Sequence, residues 1–392
     1  MNSFNFDELI VRRGTNCAKW DEAPNDNVIP LWVADMDFKA APCIIDALRN
    51  RVEQGVFGYS VVPEKYYDAV ISWFHRRHGF DIKREWMLYT TGVIPALSAT
   101  IKALTQPGDK VLIQTPVYNH FYSSIRNNGC IAEECPLAYE EGKYSVDFAA
   151  FEKQCADEKV KVFVLCNPHN PAGRVWSADE MKKMGEICHK YNVRVVADEI
   201  HCELVMPGYK YIPYGSVNDD LLKYAVILSS PSKAFNIAGL QIANIVCYDE
   251  NVRRAIDRAI NINEVCDVNP FGIVGVIAAY NDGEEWLQSL LSYIYENYLY
   301  LKELFSKKLP DFHVVELQGT YLAWVDCSAL KLTSRQLSEY LLQHNDVWVN
   351  EGEMYGQPKG HSFIRINLAC QKARLKEGLS RVVAGIRQLQ KA

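Results

Sequence analysis

No stretch of the chain approaches the roughly 20 consecutive apolar residues that a membrane-crossing helix needs, so no membrane partner is expected. Long basic runs are also missing, and a net charge of −6 argues against nucleic acid as a partner. The twelve cysteines form no Cys-x-x-Cys pair and keep no regular spacing, so they read as reduced, mostly buried thiols rather than a disulfide framework. Residues 1–8 lack the basic and apolar regions of a secretory leader, and a cytoplasmic location is expected. Internal repeats and low-complexity tracts are absent as well. What remains is length and apolar mass. A chain of 392 residues, 48% hydrophobic, is too long for one small core and implies a large domain plus a smaller one.

From about residue 45 to about 280, short apolar runs alternate with helical patterns. Residues 110–114, 160–166, 193–198, 224–228 and 242–247 are the expected strands, several of them almost continuously apolar. Such runs suit strands covered on both faces, and the alternation predicts an α/β domain with a mostly parallel sheet, layered α/β/α. Between two of the strands, Ser177 and Glu180 are spaced as a capping box for a helix over 178–191. One long helical pattern over 284–308 then leads into strands near 312–317, 321–325 and 363–368, with helices near 334–343 and 372–390. The expected division is an N-terminal segment, 1–45, joining the small domain; a large domain, 46–283; and a connector helix with a small α+β domain, 284–392.

Four strand ends carry candidate chemistry. Lys233 follows the run 224–228 within Ser229-Ser230-Pro231-Ser232-Lys233, where Ser230 and Ser232 can hydrogen-bond a phosphate. An amine beside a phosphate cradle suits a Schiff base with pyridoxal phosphate, although a lone lysine after a strand is commonly just solvated. Asn170 stands in Asn167-Pro168-His169-Asn170-Pro171-Ala172-Gly173, a loop stiffened by prolines at the carboxyl edge of the sheet. Asp198 ends the next strand and can pair with a pyridinium nitrogen, with His201 three residues on. A helix cap for Asp198 and a satisfied polar role for His201 are the plainer alternatives. Asp-x-x-His can also begin a metal site, but no further ligand has suitable spacing, and no metal is expected. Gly92 and Val93 open a helix whose free N–H groups and dipole suit an anion. Tyr118, after a further strand, can stack on a flat ring or simply fill the core.

The order of these elements resembles that of the fold-type I pyridoxal-phosphate enzymes, the aspartate aminotransferase superfamily, over nearly the whole chain. The run Leu31-Trp32-Val33-Ala34-Asp35-Met36-Asp37-Phe38, with Thr91–Pro95, Asn167–Arg174 and Asp198–Leu204, is similar to the MalY/PatB-like cystathionine β-lyase (C–S lyase) subgroup. The resemblance implies that Lys233 forms the Schiff base, Asp198 faces the ring nitrogen, Asn170 reaches the ring hydroxyl and Tyr118 stacks on the ring. It implies Gly92, Val93, Ser230 and Ser232 at the phosphate, joined by Tyr59 from the partner subunit of a homodimer. Arg365 would grip the α-carboxylate of an amino-acid substrate, a task suited to a guanidinium fork. Two departures from the aminotransferase pattern are implied. His201 stands where those enzymes usually carry a tyrosine, and Gln241 where they usually carry a phosphate-binding arginine.

The activity implied is α,β-elimination from an amino acid with sulfur on its β-carbon, giving a thiol, pyruvate and ammonia. An aminotransferase is the rival, since it would use the same Lys233, Asp198 and Arg365. A regulatory protein that keeps the fold and binds another protein is the third reading.

Overall fold

The computed structural model describes residues 4–262, 264, 267–356 and 360–391. Cys266, one of the twelve thiols, and residues 1–3 lie outside the described residues. Seven strands form the main sheet, in the spatial order Met87–Thr90, Ala243–Cys247, Ala225–Ser229, Arg194–Asp198, Val160–Cys166, Lys110–Ile113, Ile131–Glu134. All run the same way except Ala243–Cys247, which is antiparallel to both neighbours. The mostly parallel sheet is therefore present. Alternation along Val160–Cys166 sends Val162, Val164 and Cys166 to one core, with Val93, Leu97 and Ile256, while Phe163 and Leu165 join the core on the other face. Helices thus cover both faces, which is why these strands read as unbroken apolar runs.

The capping box forms: Ser177 Oγ accepts from Glu180 N at 3.2 Å and Glu180 Oε2 from Ser177 N at 3.0 Å, opening the helix Ala178–Lys190. A second, antiparallel sheet runs His313–Val314, Leu322–Asp326, Phe363–Asn367, Asn350–Glu351. The helices Glu284–Lys308, Ser334–Asn345 and Lys372–Leu389 accompany it. The N-terminal segment joins this unit, because Ile29–Pro30 pairs with Val347–Trp348 and Asn367 N donates to Leu31 O at 2.9 Å.

Three details differ from the sequence reading. Two edge strands, Met87–Thr90 and Ile131–Glu134, were not expected; both are short, and Ile131–Glu134 is partly solvated and ends in two glutamates. The strand expected over 312–317 shrinks to His313–Val314, because the N–H groups of Gln318 and Gly319 turn away to Gly173 O, at 2.7 and 2.9 Å. The boundary expected at 45/46 falls inside the helix Pro42–Glu53.

Candidate active site

The strand Ala225–Ser229 ends because Ser230 Oγ donates to Ile242 O at 2.7 Å and accepts from Ser232 N at 3.1 Å, closing a turn. That turn delivers Lys233 to a cavity of about 220 Å³ at the carboxyl ends of the parallel strands, also lined by Gly92, Val93, Tyr118, Asn170, Asp198, His201 and Ser232. Ser230 does not line the cavity; its hydroxyl shapes the turn. A wider cleft of about 710 Å³, lined by Tyr139, Lys302 and His313 among others, brings no comparable set of groups together. Among the described residues, no cluster of three or more His, Cys, Asp or Glu is placed to hold a metal.

Three groups in and beside the cavity lack the partner their burial calls for. Asp198 is 2% exposed and accepts only from Ile200 N, at 3.1 Å, with no cation in ion-pair range among the described residues. Burial pushes its carboxyl up to about 7, against the smaller downward pull of the Ile200 N–H and Lys233. Arg365, 3% exposed, donates to Asn170 Oδ1 at 3.2 Å and Trp32 O at 3.0 Å, lies over Tyr355, and has no carboxylate partner among the described residues. Its Nε has no acceptor among the described residues. Burial likewise draws the Lys233 amine down to about 8; Asp35 and Asp198 resist and Arg365 assists. Lys233 keeps some exposed surface along its side chain, so this desolvation belongs to the amine tip, which donates to Ala34 O at 2.6 Å.

His201 is pushed down to about 3, first by burial and then by the charges of Lys233 and Arg365, so its ring is neutral at pH 7. Its Nδ1 has no partner among the described residues. Tyr118 is half-buried, its hydroxyl raised to about 12 by burial. The helix Val93–Leu104 starts at Gly92 without any side-chain cap, leaving its first N–H groups open toward the cavity. A Cβ on Gly92 would stand 3.3 Å from Pro95 Cδ. Gln241, in the left-handed region at φ 49°, also lines the cavity and brings no charge.

These side chains fit pyridoxal phosphate group by group. A ring cation would satisfy Asp198, a phosphate would satisfy the open helix start and Ser232, an aldehyde would meet Lys233, and a substrate carboxylate would meet Arg365. Tyr59 is the exception within the chain: it is fully exposed and touches none of this. Motif reading overlooked Tyr321, buried and hydrogen-bonded to the same Ala34 carbonyl as Lys233, at 2.8 Å. It also left Glu199 without a role. That residue accepts from Asn167 Nδ2 at 3.1 Å, Tyr214 N at 2.8 Å and the Tyr211 hydroxyl, tying the asparagine loop to the strand that ends in Asp198.

The model of the aminotransferase class I and II family matches residues 26–382, and the chain belongs to that family. Within it the chain falls in the MalY/PatB-like C–S lyase subgroup. It is 38% identical to the cystathionine β-lyase PatB of Bacillus subtilis (strain 168) over 386 residues, 97% of this chain and 100% of that protein. Two solved structures each superpose with a TM-score of 0.95. One is a PLP-bound putative aminotransferase from Clostridium difficile 630, 42% identical and covering 98% of this chain and 100% of its own. The other is cystalysin from Treponema denticola, which contains pyridoxal 5′-phosphate, 32% identical and covering 99% and 100%.

Proposed function

We propose that this protein is a pyridoxal-phosphate-dependent C–S lyase of the cystathionine β-lyase type. It converts a β-sulfur-substituted L-amino acid to a thiol, pyruvate and ammonia. The observation that carries the reading is the trio of Lys233, Asp198 and Arg365 around one cavity at the sheet's carboxyl edge, none of them in an ion pair among the described residues. Pyridoxal phosphate, when bound, supplies an aldehyde for the substrate amine and a ring that draws electrons from the α-carbon.

The residues do the rest. Lys233 would hold the aldehyde, and its free amine would take the α-proton; an amine lowered to about 8 is suited to act as a base near neutrality. Asp198 would pair with the ring nitrogen, Asn170 would hydrogen-bond the ring hydroxyl and Tyr118 would stack on the ring. Gly92, Val93 and Ser232 would hold the phosphate, Ser230 shaping the turn that presents Ser232, and Tyr59 would arrive from a second copy in a homodimer. Arg365 fixes the substrate carboxylate, and neutral His201 faces the ring or substrate as a hydrogen-bonding group. The stretch from the helix Pro42–Glu53 to residue 283 acts as the cofactor-holding unit; the segment before that helix and residues 284–392 form the unit that supplies Arg365. The setting is cytoplasmic; among the described residues, no helix is long and apolar enough to cross a membrane.

Transamination is the second reading, favoured by the 42% identity to a protein described as a putative aminotransferase. The test is pyruvate release from cystathionine, with and without 2-oxoglutarate. Release without the keto acid supports the lyase; conversion that requires it establishes the aminotransferase. A protein that binds no cofactor and turns over neither way would instead be a regulatory relative.

A further inference from the structure

Five consecutive carbonyls, those of residues 32–36, each accept a hydrogen bond from a donor elsewhere in the chain. Trp32 O takes Arg365 Nη2 and Asn350 Nδ2, both at 3.0 Å. Asn367 Nδ2 donates to both Val33 O and Asp35 O. Met36 O takes Arg12 Nη1 and Asn236 Nδ2, both at 3.0 Å. At the centre, Ala34 O takes the amine of Lys233 at 2.6 Å and the hydroxyl of Tyr321 at 2.8 Å. An ion cluster pins the same segment: Arg12 with Asp35 at 2.6 Å and with Asp37 at 2.7 Å, and Lys19 with Asp37 at 3.2 Å. Ala34 O is therefore a fixed acceptor, not a loop oxygen met by chance.

We propose that the Ala34 carbonyl seats the Lys233 ammonium during α-proton transfer, and that Tyr321 is the positioning residue that holds this carbonyl and limits its grip on the lysine. The inference rests on the reading of Lys233 as the base. A carbonyl oxygen offers two lone pairs, and two donors sharing it bring their positive ends close together. The Tyr321 hydroxyl thereby opposes the charged form of Lys233 while keeping the oxygen aimed at it. The other groups facing Lys233 are Asp35 and Asp198, which favour its charge, Arg365, which opposes it, and His201. In the step itself the α-proton passes to the Lys233 lone pair and the C–H electrons stay on the substrate carbon. Ala34 and Tyr321 exchange no proton.

Exchange of the α-hydrogen of L-alanine in D2O, followed by NMR on the holoenzyme, isolates this step because alanine has no sulfur to expel. Tyr321→Phe keeps the ring and its packing. Exchange should slow about tenfold at neutral pH, and the acid limb of the pH–rate profile should move to higher pH, with the bound cofactor's visible band intact. An unchanged rate and limb would overturn the proposal, and so would a uniform loss at every pH, which marks a purely structural role. If Tyr321→Phe does not fold, 3-fluorotyrosine at position 321 preserves shape and donates more strongly. The limb should then move to lower pH, and an unmoved limb overturns the proposal. Wild-type exchange without pyruvate release from cystathionine would sink the lyase reading and leave this one standing.

Discussion

Asp198 and Glu203 are five positions apart, both buried, and electrically opposite. Glu203 accepts from Trp73 Nε1 at 2.6 Å, Arg77 Nε at 2.9 Å and His78 Nε2 at 2.8 Å. Together those partners hold its carboxyl below the usual value despite complete burial. Asp198 has one backbone N–H and is pushed up instead. The core that packs Trp73 against Tyr280 and Phe235 thus completes its own acid, whereas the sheet edge leaves an acid for something else to complete. Burial alone does not mark a functional carboxylate; burial without a partner does.

The largest effect belongs to the incomplete side. Lys233→Ala should abolish both the cofactor's visible band and all turnover, read by absorbance and a pyruvate assay; normal elimination by this variant would refute the assignment. The next pair tests the contrast directly. Glu203→Gln should destabilise the cofactor-free protein by about 3 kcal/mol in urea unfolding, because Arg77 loses its buried counter-charge. Turnover of the protein that still folds should stay within a few-fold. Asp198→Asn should do the reverse, cutting turnover at least hundredfold with no loss of stability; similar unfolding midpoints and rates for the two variants would dissolve the distinction.

The smallest effect is the pH dependence of stability in the cofactor-free protein. Glu203, lowered from 4.5, contributes stability that is present above that value and is lost as pH falls through its lower folded pKa. Asp198, raised from 3.8 to about 7, works the other way: the folded state holds the proton longer, so stability falls as pH rises between those values. Urea midpoints against pH should therefore flatten below 4.5 in Glu203→Gln and between 3.8 and 7 in Asp198→Asn.

Much of this geometry was legible because chemistry sits where apolar runs stop. The runs ending at Cys166, Asp198 and Ser229 are strands, and Asn170, Asp198 and Lys233 follow from their ends. The capping box at Ser177 was equally plain, being written in side chains at fixed spacing. Nothing in residue type separates Asp198 from Glu203, since the difference lies in what the helix Glu64–His78 brings across the fold. The edge strand Ile131–Glu134 was hidden because its half-solvated residues leave little apolar signature, whereas Met87–Thr90, with Met87, Leu88 and Tyr89 in a row, was simply overlooked. Ala34 was hidden more thoroughly, because its contribution is a main-chain oxygen that every residue possesses. Its partner Tyr321 reads as one aromatic among 22 tyrosines until the two meet.

The hold on residues 32–36 therefore tolerates a change of letter but not a change of count. Replacing Val33 or Met36 leaves every peptide oxygen in its place. Deleting one residue anywhere in that stretch shifts the ladder by a full peptide, and the arginine, the asparagine and the lysine would each reach for the wrong rung.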